Sequence, residues 1–135
     1  MDAFWSNSYI QIAAYCSVAI LCAVVFIAVF EMVTKYNNWE EIKNGNVAVA
    51  LATGGKLFGI ANIFRYSIIQ HNSLMDMVGW GVFGFVLLVA GYVIFEFLTP
   101  GFKVDEEIKN DNRAVGFVSM VISIAISFIV GAGIS

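Results

Sequence analysis

The sequence predicts an all-α integral membrane protein, with four transmembrane helices arranged as two parallel helical hairpins. Three observations predict it. First, of 135 residues 60% are hydrophobic and 13% charged, and the mean hydropathy is +0.84. An ordinary soluble domain has about 45–50% apolar and about 25% charged residues, and a small one buries only about two-thirds of its chain's surface. So much apolar surface belongs in a bilayer, and the same composition excludes intrinsic disorder. Second, long apolar runs recur four times. Third, the polar segments after the first and third runs resemble each other.

The first span is expected from Tyr9 to Phe30, broken only by Gln11 and a few hydroxyls. At about 1.5 Å per residue it crosses a hydrocarbon core of about 30 Å. A cleaved signal peptide would carry a basic start and a short apolar segment; Met1-Asp2-Ala3-Phe4-Trp5 has neither Lys nor Arg. The second span, about Val47 to Ile69, is the polar one, with Gly54, Gly55, Lys56, Asn62 and Arg65. The third, about Leu74 to Leu98, and the fourth, about Ala114 to Ile134, are strongly apolar. All four runs are too long for buried strands, and open strand edges are not tolerated in lipid.

Lys35 and Lys43 lie between spans one and two; Lys103, Lys109 and Arg113 lie between spans three and four. The positive-inside rule places both charged connections in the cytoplasm and both termini outside a plasma membrane. Trp5, Tyr9, Tyr66 and Trp80 then fall near the outer boundary, and Tyr36, Trp39 and Phe102 near the inner one, where amphipathic rings concentrate.

The two inner turns match block by block. Phe30-Glu31-Met32-Val33-Thr34 precedes Glu40-Glu41-Ile42-Lys43-Asn44-Gly45-Asn46; Phe95-Glu96-Phe97-Leu98-Thr99 precedes Glu106-Glu107-Ile108-Lys109-Asn110-Asp111-Asn112. Two crossings per copy make this a parallel repeat about an axis along the membrane normal. The expectation is one membrane domain over 1–135, with repeat one at about 9–69 and repeat two at about 74–134. Each turn reads as a short amphipathic helix at the interface. Asn46 and Asn112 stand where N-caps would start spans two and four, with ligand contact as the competing reading. Gly45, replaced by Asp111 in the second turn, suits a residue with positive φ.

The stretch from Trp39 to Arg65, with Gly45-Asn46-Val47-Ala48-Val49-Ala50 and then Gly54-Gly55, resembles the signature of the YjfL/YshE-like family, small bacterial inner-membrane proteins grouped under a domain of unknown function. The resemblance covers essentially the whole chain. The second turn departs from it at Asp111 and at Arg113-Ala114-Val115-Gly116. The resemblance implies a bacterial plasma-membrane protein and no particular activity.

Lys56 is the most informative residue, about 13 Å into span two at 1.5 Å per residue. Lysine near mid-helix costs about 2.5–3.5 kcal/mol on the insertion scale and usually faces the bundle interior with a partner. Glu31 and Glu96, at the inner ends of spans one and three, are the expected partners. The alternatives are a structural ion pair or snorkelling stem and a polar pathway or ligand site. Asn62 and Arg65 share a face of the same helix, and Asp76 is the expected partner of Arg65. Gly55 and Gly59 form a GxxxG pair; Ser119, Ser123, Ser127 and Gly131 form a ladder on span four, and Gly81 and Gly84 mark span three. Such stripes allow close helix approach, within one chain or between chains. For the ladder, disrupted assembly on Ser123→Leu or Ser127→Leu is the expectation; a serine-lined pore is the alternative.

Catalysis finds little support. His71 is the sole histidine, in the short outer connection beside Asn72 and Ser73. Gly54-Gly55-Lys56-Leu57 lacks the spacing and the Ser/Thr of a phosphate loop. Cys16 and Cys22 point to different sides of one helix and read as apolar thiols. The net charge of -3 carries no basic footprint for nucleic acid. The expectation is a non-enzymatic membrane subunit without metal or cofactor, acting as a homo-oligomer, as a channel or transport subunit. The alternative is a non-transporting scaffold or envelope-stress partner that docks a membrane or cytoplasmic protein on its acidic turns.

Overall fold

The structure is a computed structural model that describes residues 6–34, 36–70, 73–98, 101 and 103–134. Trp5, Lys35, His71, Asn72, Thr99 and Phe102, which enter the reading above, lie outside the described residues. Six helices follow in order: α1 (Ser8–Val33), α2 (Asn38–Lys43), α3 (Val47–Gln70), α4 (Leu74–Leu98), α5 (Val104–Lys109) and α6 (Arg113–Ile134). All regular structure among the described residues is helical, and four helices are long and apolar enough to cross a membrane: Ser8–Val33, Val47–Ile69, Leu74–Glu96 and Arg113–Ile134.

Polar side chains start the helices where backbone N–H groups lack partners. Asn7 Oδ1 accepts from Tyr9 N at 2.9 Å, Asn37 Oδ1 from Glu40 N at 3.1 Å, and Ser73 Oγ from Asp76 N at 3.0 Å. Glu40 and Glu41 in the first turn of α2, and Lys43 in its last, oppose the helix dipole.

The short helices α2 and α5 end in nearly the same turn. Asn44 and Asn110 close them at φ -84 and -85, and the next residues take positive φ, Gly45 at 87 and Asp111 at 62. Asn46 and Asn112 then cap the following helices: Val49 N donates to Asn46 Oδ1 at 3.0 Å, and Val115 N to Asn112 Oδ1 at 3.3 Å. Each asparagine amide also donates back to a glutamate, Glu41 at 3.2 Å and Glu107 at 2.9 Å. The two turns interlock. Asn46 Nδ2 donates to the Lys109 carbonyl at 2.8 Å, and Ala48 N donates to Asp111 Oδ1 at 3.0 Å.

α3 is the central helix. Of its most apolar stretch, 61% is buried inside the protein, against 11% for α1. That inverts the hydropathy order, because the polar helix is the one withdrawn from lipid. Its most extensive partner is α6. Gly55 approaches so closely that a Cβ there would meet Met120 Cα at 2.5 Å, and one at Gly116 would meet the Ala48 carbonyl oxygen at 2.6 Å. Ser119, Ser123 and Ser127 are fully buried, and Gly131 packs on the Tyr66 ring. The ladder on α6, expected above to govern assembly between copies, is occupied within the chain by α3. Small residues let the two backbones approach, and that approach uses up the face.

Two apolar clusters fill the rest. The larger joins α1, α3 and α4 through Phe26, Phe30, Ile60, Phe64, Phe85 and Leu88, with the Phe26 and Phe85 rings stacked at 4.2 Å. The smaller lies at the turn end, where Tyr36, Ala48, Val49, Ala52, Val104 and Ile108 meet. Between the clusters sits the one lysine of the central helix.

Candidate functional site

Lys56 projects from α3 into the turn end of the bundle and is fully buried. Three aromatic faces enclose its ammonium. Nζ lies 4.8 Å from the Tyr92 ring centroid, 5.1 Å from Phe30 and 5.3 Å from Tyr36. Nζ also donates to the Tyr36 hydroxyl at 3.2 Å. Cation–π attraction is worth about 2 kcal/mol or more where water is excluded, and several rings share the work here. The cage is assembled from four chain segments: the end of α1, the α1–α2 connection, α3 and α4.

A carboxylate closes the network from the far side. The Tyr92 hydroxyl donates to Asp105 Oδ1 at 2.8 Å, and Asp105 is itself buried. Two hydrogen-bonded pairs, Lys56–Tyr36 and Tyr92–Asp105, thus meet around one ammonium, since the Tyr92 ring also faces Lys56 Nζ. Burial, reinforced by the negative charges of Asp105 and Glu96, raises the Tyr36 phenol above its ordinary range despite an opposing contribution from the neighbouring Tyr92 hydroxyl. Tyr36 therefore stays a neutral hydroxyl, able both to accept from the lysine and to donate.

The expected partnership of Lys56 with Glu31 or Glu96 is corrected by this geometry. Neither carboxylate forms an ion pair with it. The charges that reach Lys56 are those of Asp105 first and Glu96 second. Glu31 instead stands half-buried at the wall of a polar vestibule of about 610 Å³, with Thr34, Tyr36, Asn37, Glu40, Glu41 and Lys109. Tyr36 belongs to that wall and to the lysine cage alike.

The opposite end of α3 is plainer. Asn62 is buried and donates to Ser127 Oγ at 3.1 Å, which donates onward to the Ile124 carbonyl at 2.6 Å. Arg65 is exposed with its guanidinium 5.4 Å from the Tyr66 ring. No ion pair joins it to Asp76; Lys103–Glu106 and Arg113–Asp111 pair at the surface instead. No group of three or more His, Cys, Asp or Glu among the described residues could hold a metal ion. Cys16 and Cys22 are free thiols.

Sequence reasoning missed Tyr92 and Asp105 and read Tyr36 only as an interfacial anchor. One signal was available. When Glu40-Glu41 is aligned with Glu106-Glu107, Asp105 stands where the first turn has Trp39. A buried carboxylate in place of an exposed indole marks the difference between the turns.

A family model described as Domain of Unknown Function (DUF350) matches residues 4–134. The chain is 66% identical over 134 residues to the "UPF0719 transmembrane protein YshE" of Bacillus subtilis, covering 99% of this chain and all of that relative. It is 27% identical over 110 residues to the "UPF0719 inner membrane protein YjfL" of Escherichia coli K12, covering 82% of each. No solved structure was found to match.

Proposed function

The chain belongs to the DUF350 family of multi-pass membrane proteins, and from that premise we propose that it is a non-enzymatic transport subunit of the bacterial plasma membrane, in which the buried Lys56 network carries or gates charge. One observation carries the reading. Tyr36 is at once a wall of the polar vestibule and the hydrogen-bond partner of the caged lysine. An intramembrane ionisable residue is costly, and one held inside the bundle is by default a candidate charge pathway or ligand site. The pairs Lys56–Tyr36 and Tyr92–Asp105 set proton donors and acceptors side by side in one buried cluster that includes a carboxylate.

In this reading the turn end faces the cytoplasm, both termini lie outside, and several copies assemble around the path. Lys43, Lys103, Lys109 and Arg113 all fall at the turn end, which supports that orientation. The two similar turns are read as products of an internal duplication whose copies diverged, one keeping Trp39 and the other acquiring Asp105.

The test is proton and cation flux in proteoliposomes under an imposed potential. Flux by the parent, loss in Lys56→Met and retention in Lys56→Arg is the expected pattern. Equal leak in the parent, in Lys56→Met and in empty vesicles overturns it. The scaffold reading, which rests on the exposed Glu40 and Glu106 of the two turns, then stands in its place.

A further inference from the structure

The weakly packed α1 leaves a cleft against α3. Toward the turn end the cleft is an apolar groove of about 500 Å³, lined by Ile20, Val24, Ala28, Leu57 and Ala61 and closed by Glu31 and Trp39. That volume is in the range of small-molecule sites. From Ile20 to Glu31 the groove follows twelve residues of α1, about 16 Å at the helical rise. Half of a 30 Å hydrocarbon core is about 15 Å. The groove is therefore one leaflet deep, with its polar end at the interface.

Two further observations point to an occupant. Thr53 lines the groove, is 4% exposed, and its Oγ1 has no hydrogen-bond partner. A buried hydroxyl left without a partner carries a desolvation cost that an acceptor in the groove would relieve. Glu31 lines both this groove and the polar vestibule. An apolar chamber and a polar chamber thus share one carboxylate, and the polar one also carries Glu40, Glu41 and Lys109, three acidic groups to one basic group.

We propose that this paired site binds one phospholipid with a primary-ammonium headgroup. An acyl chain fills the groove and a chain ester accepts from Thr53 Oγ1. The headgroup enters the vestibule, where its ammonium meets Glu31 and its phosphate meets Lys109 as a point charge. Charge decides against a second copy of the chain as occupant. A twofold contact through this groove would bring the same carboxylate-bearing patch onto itself, whereas an ammonium complements it. The inference does not depend on charge movement through Lys56.

Native mass spectrometry of the full chain in mild detergent tests it, with ethanolamine-headgroup and glycerol-headgroup phospholipids of identical acyl chains as probes. The parent is expected to retain one ethanolamine lipid per chain, about tenfold better than the glycerol lipid, the equivalent of one charge-assisted hydrogen bond. Glu31→Gln should narrow that preference while both lipids still bind, with Glu40 and Glu41 keeping the rest, and Ala28→Trp should expel both. Thr53→Val should raise the melting temperature without lipid yet weaken retention, a combination that a merely structural threonine does not give. Equal retention of the two headgroups, or an unchanged preference in Glu31→Gln, overturns the proposal. So does a lipid-free particle of two chains, which would give the groove to a second copy.

Discussion

Asp111 caps a helix to which it does not belong. Its carboxylate accepts the backbone N–H of Ala48 at 3.0 Å, 63 residues away in the chain, while its own backbone holds the left-handed conformation at φ 62. Asp is among the few residues that adopt this conformation readily. The corresponding residue of the other turn, Gly45, meets the same backbone demand and has no side chain to offer.

Asp111→Ala should therefore lose twice. Removal of a capping acceptor costs about 0.5–2 kcal/mol, and a Cβ without a polar group in the left-handed region adds about 1–2 kcal/mol. Asp111→Gly should lose only the cap, and Asp111→Asn should be mildest. Thermal unfolding in detergent orders the three; a ranking with Gly as the most damaging would contradict the assignment.

At the lysine cage, Lys56→Met should leave stability within about 1 kcal/mol of the parent. The cation–π attraction and the Tyr36 hydrogen bond that are lost are offset by the cost of burying an ammonium, which no ion pair among the described residues relieves, and a thioether suits aromatic surroundings. Tyr92→Phe should cost more, about 1.5–3 kcal/mol, because the buried Asp105 loses a charged hydrogen bond. The two variants compared in one denaturation series decide the matter. A Lys56→Met protein that unfolds more readily than Tyr92→Phe would restore a tight carboxylate partner for the lysine.

Glycine substitutions on α3 should split by face. A Cβ at Gly55 would strike the Met120 backbone, whereas one at Gly54 meets nothing within 4 Å. Gly55→Ala should push α3 and α6 apart and cost several times more than a typical surface change. Gly54→Ala should stabilise by about 0.8–1 kcal/mol through helix propensity alone. Melting temperatures of the two single variants check this, and similar losses in both would place the helix interface elsewhere.

For the serine ladder, the buried Ser123 Oγ lacks a hydrogen-bond partner. Ser123→Ala should be neutral or stabilising, since it removes an unsatisfied group. Ser123→Leu should reduce the yield of folded chain without changing the copy number of what survives. Size-exclusion with light scattering reads both quantities. A shift in copy number at unchanged yield would return the ladder to an interface between chains.

Tyr36 makes an alkaline prediction. Burial and the Asp105 charge raise its folded-state pKa above the ordinary 10.0. Above pH 10 the unfolded chain releases this proton while the folded chain keeps it. The folded state then binds more protons, so stability falls as pH rises through that region. Tyr36→Phe should flatten this limb in an unfolding series from pH 9 to 11.

Composition and run length made the four spans legible, because lipid permits little else for such sequences. Gly55, Gly59 and the serine ladder were legible as contact surfaces, since only small residues allow close backbones. Whether those contacts were internal was not, because small residues look alike in both settings. The cage was hidden for a different reason. Residues 36, 56, 92 and 105 lie on four separate segments, and no local period connects them. The lysine itself drew attention to carboxylates at the helix ends, while its actual neighbours are rings that serve equally well as apolar filling.

The pairing of α3 with α6 bears on biosynthesis. A ribosome delivers the helices in order, so α3 enters the bilayer before its principal partner has been made. Until α6 arrives, the faces around Gly55 and Asn62 lack the surface that covers them in the finished protein. The nascent chain must pass through an interval in which its most polar span is unsheltered, and that interval is where an insertase or chaperone would have the most to do. A stop codon placed before Arg113 should yield a product that is degraded in cells, even though three complete spans have been inserted.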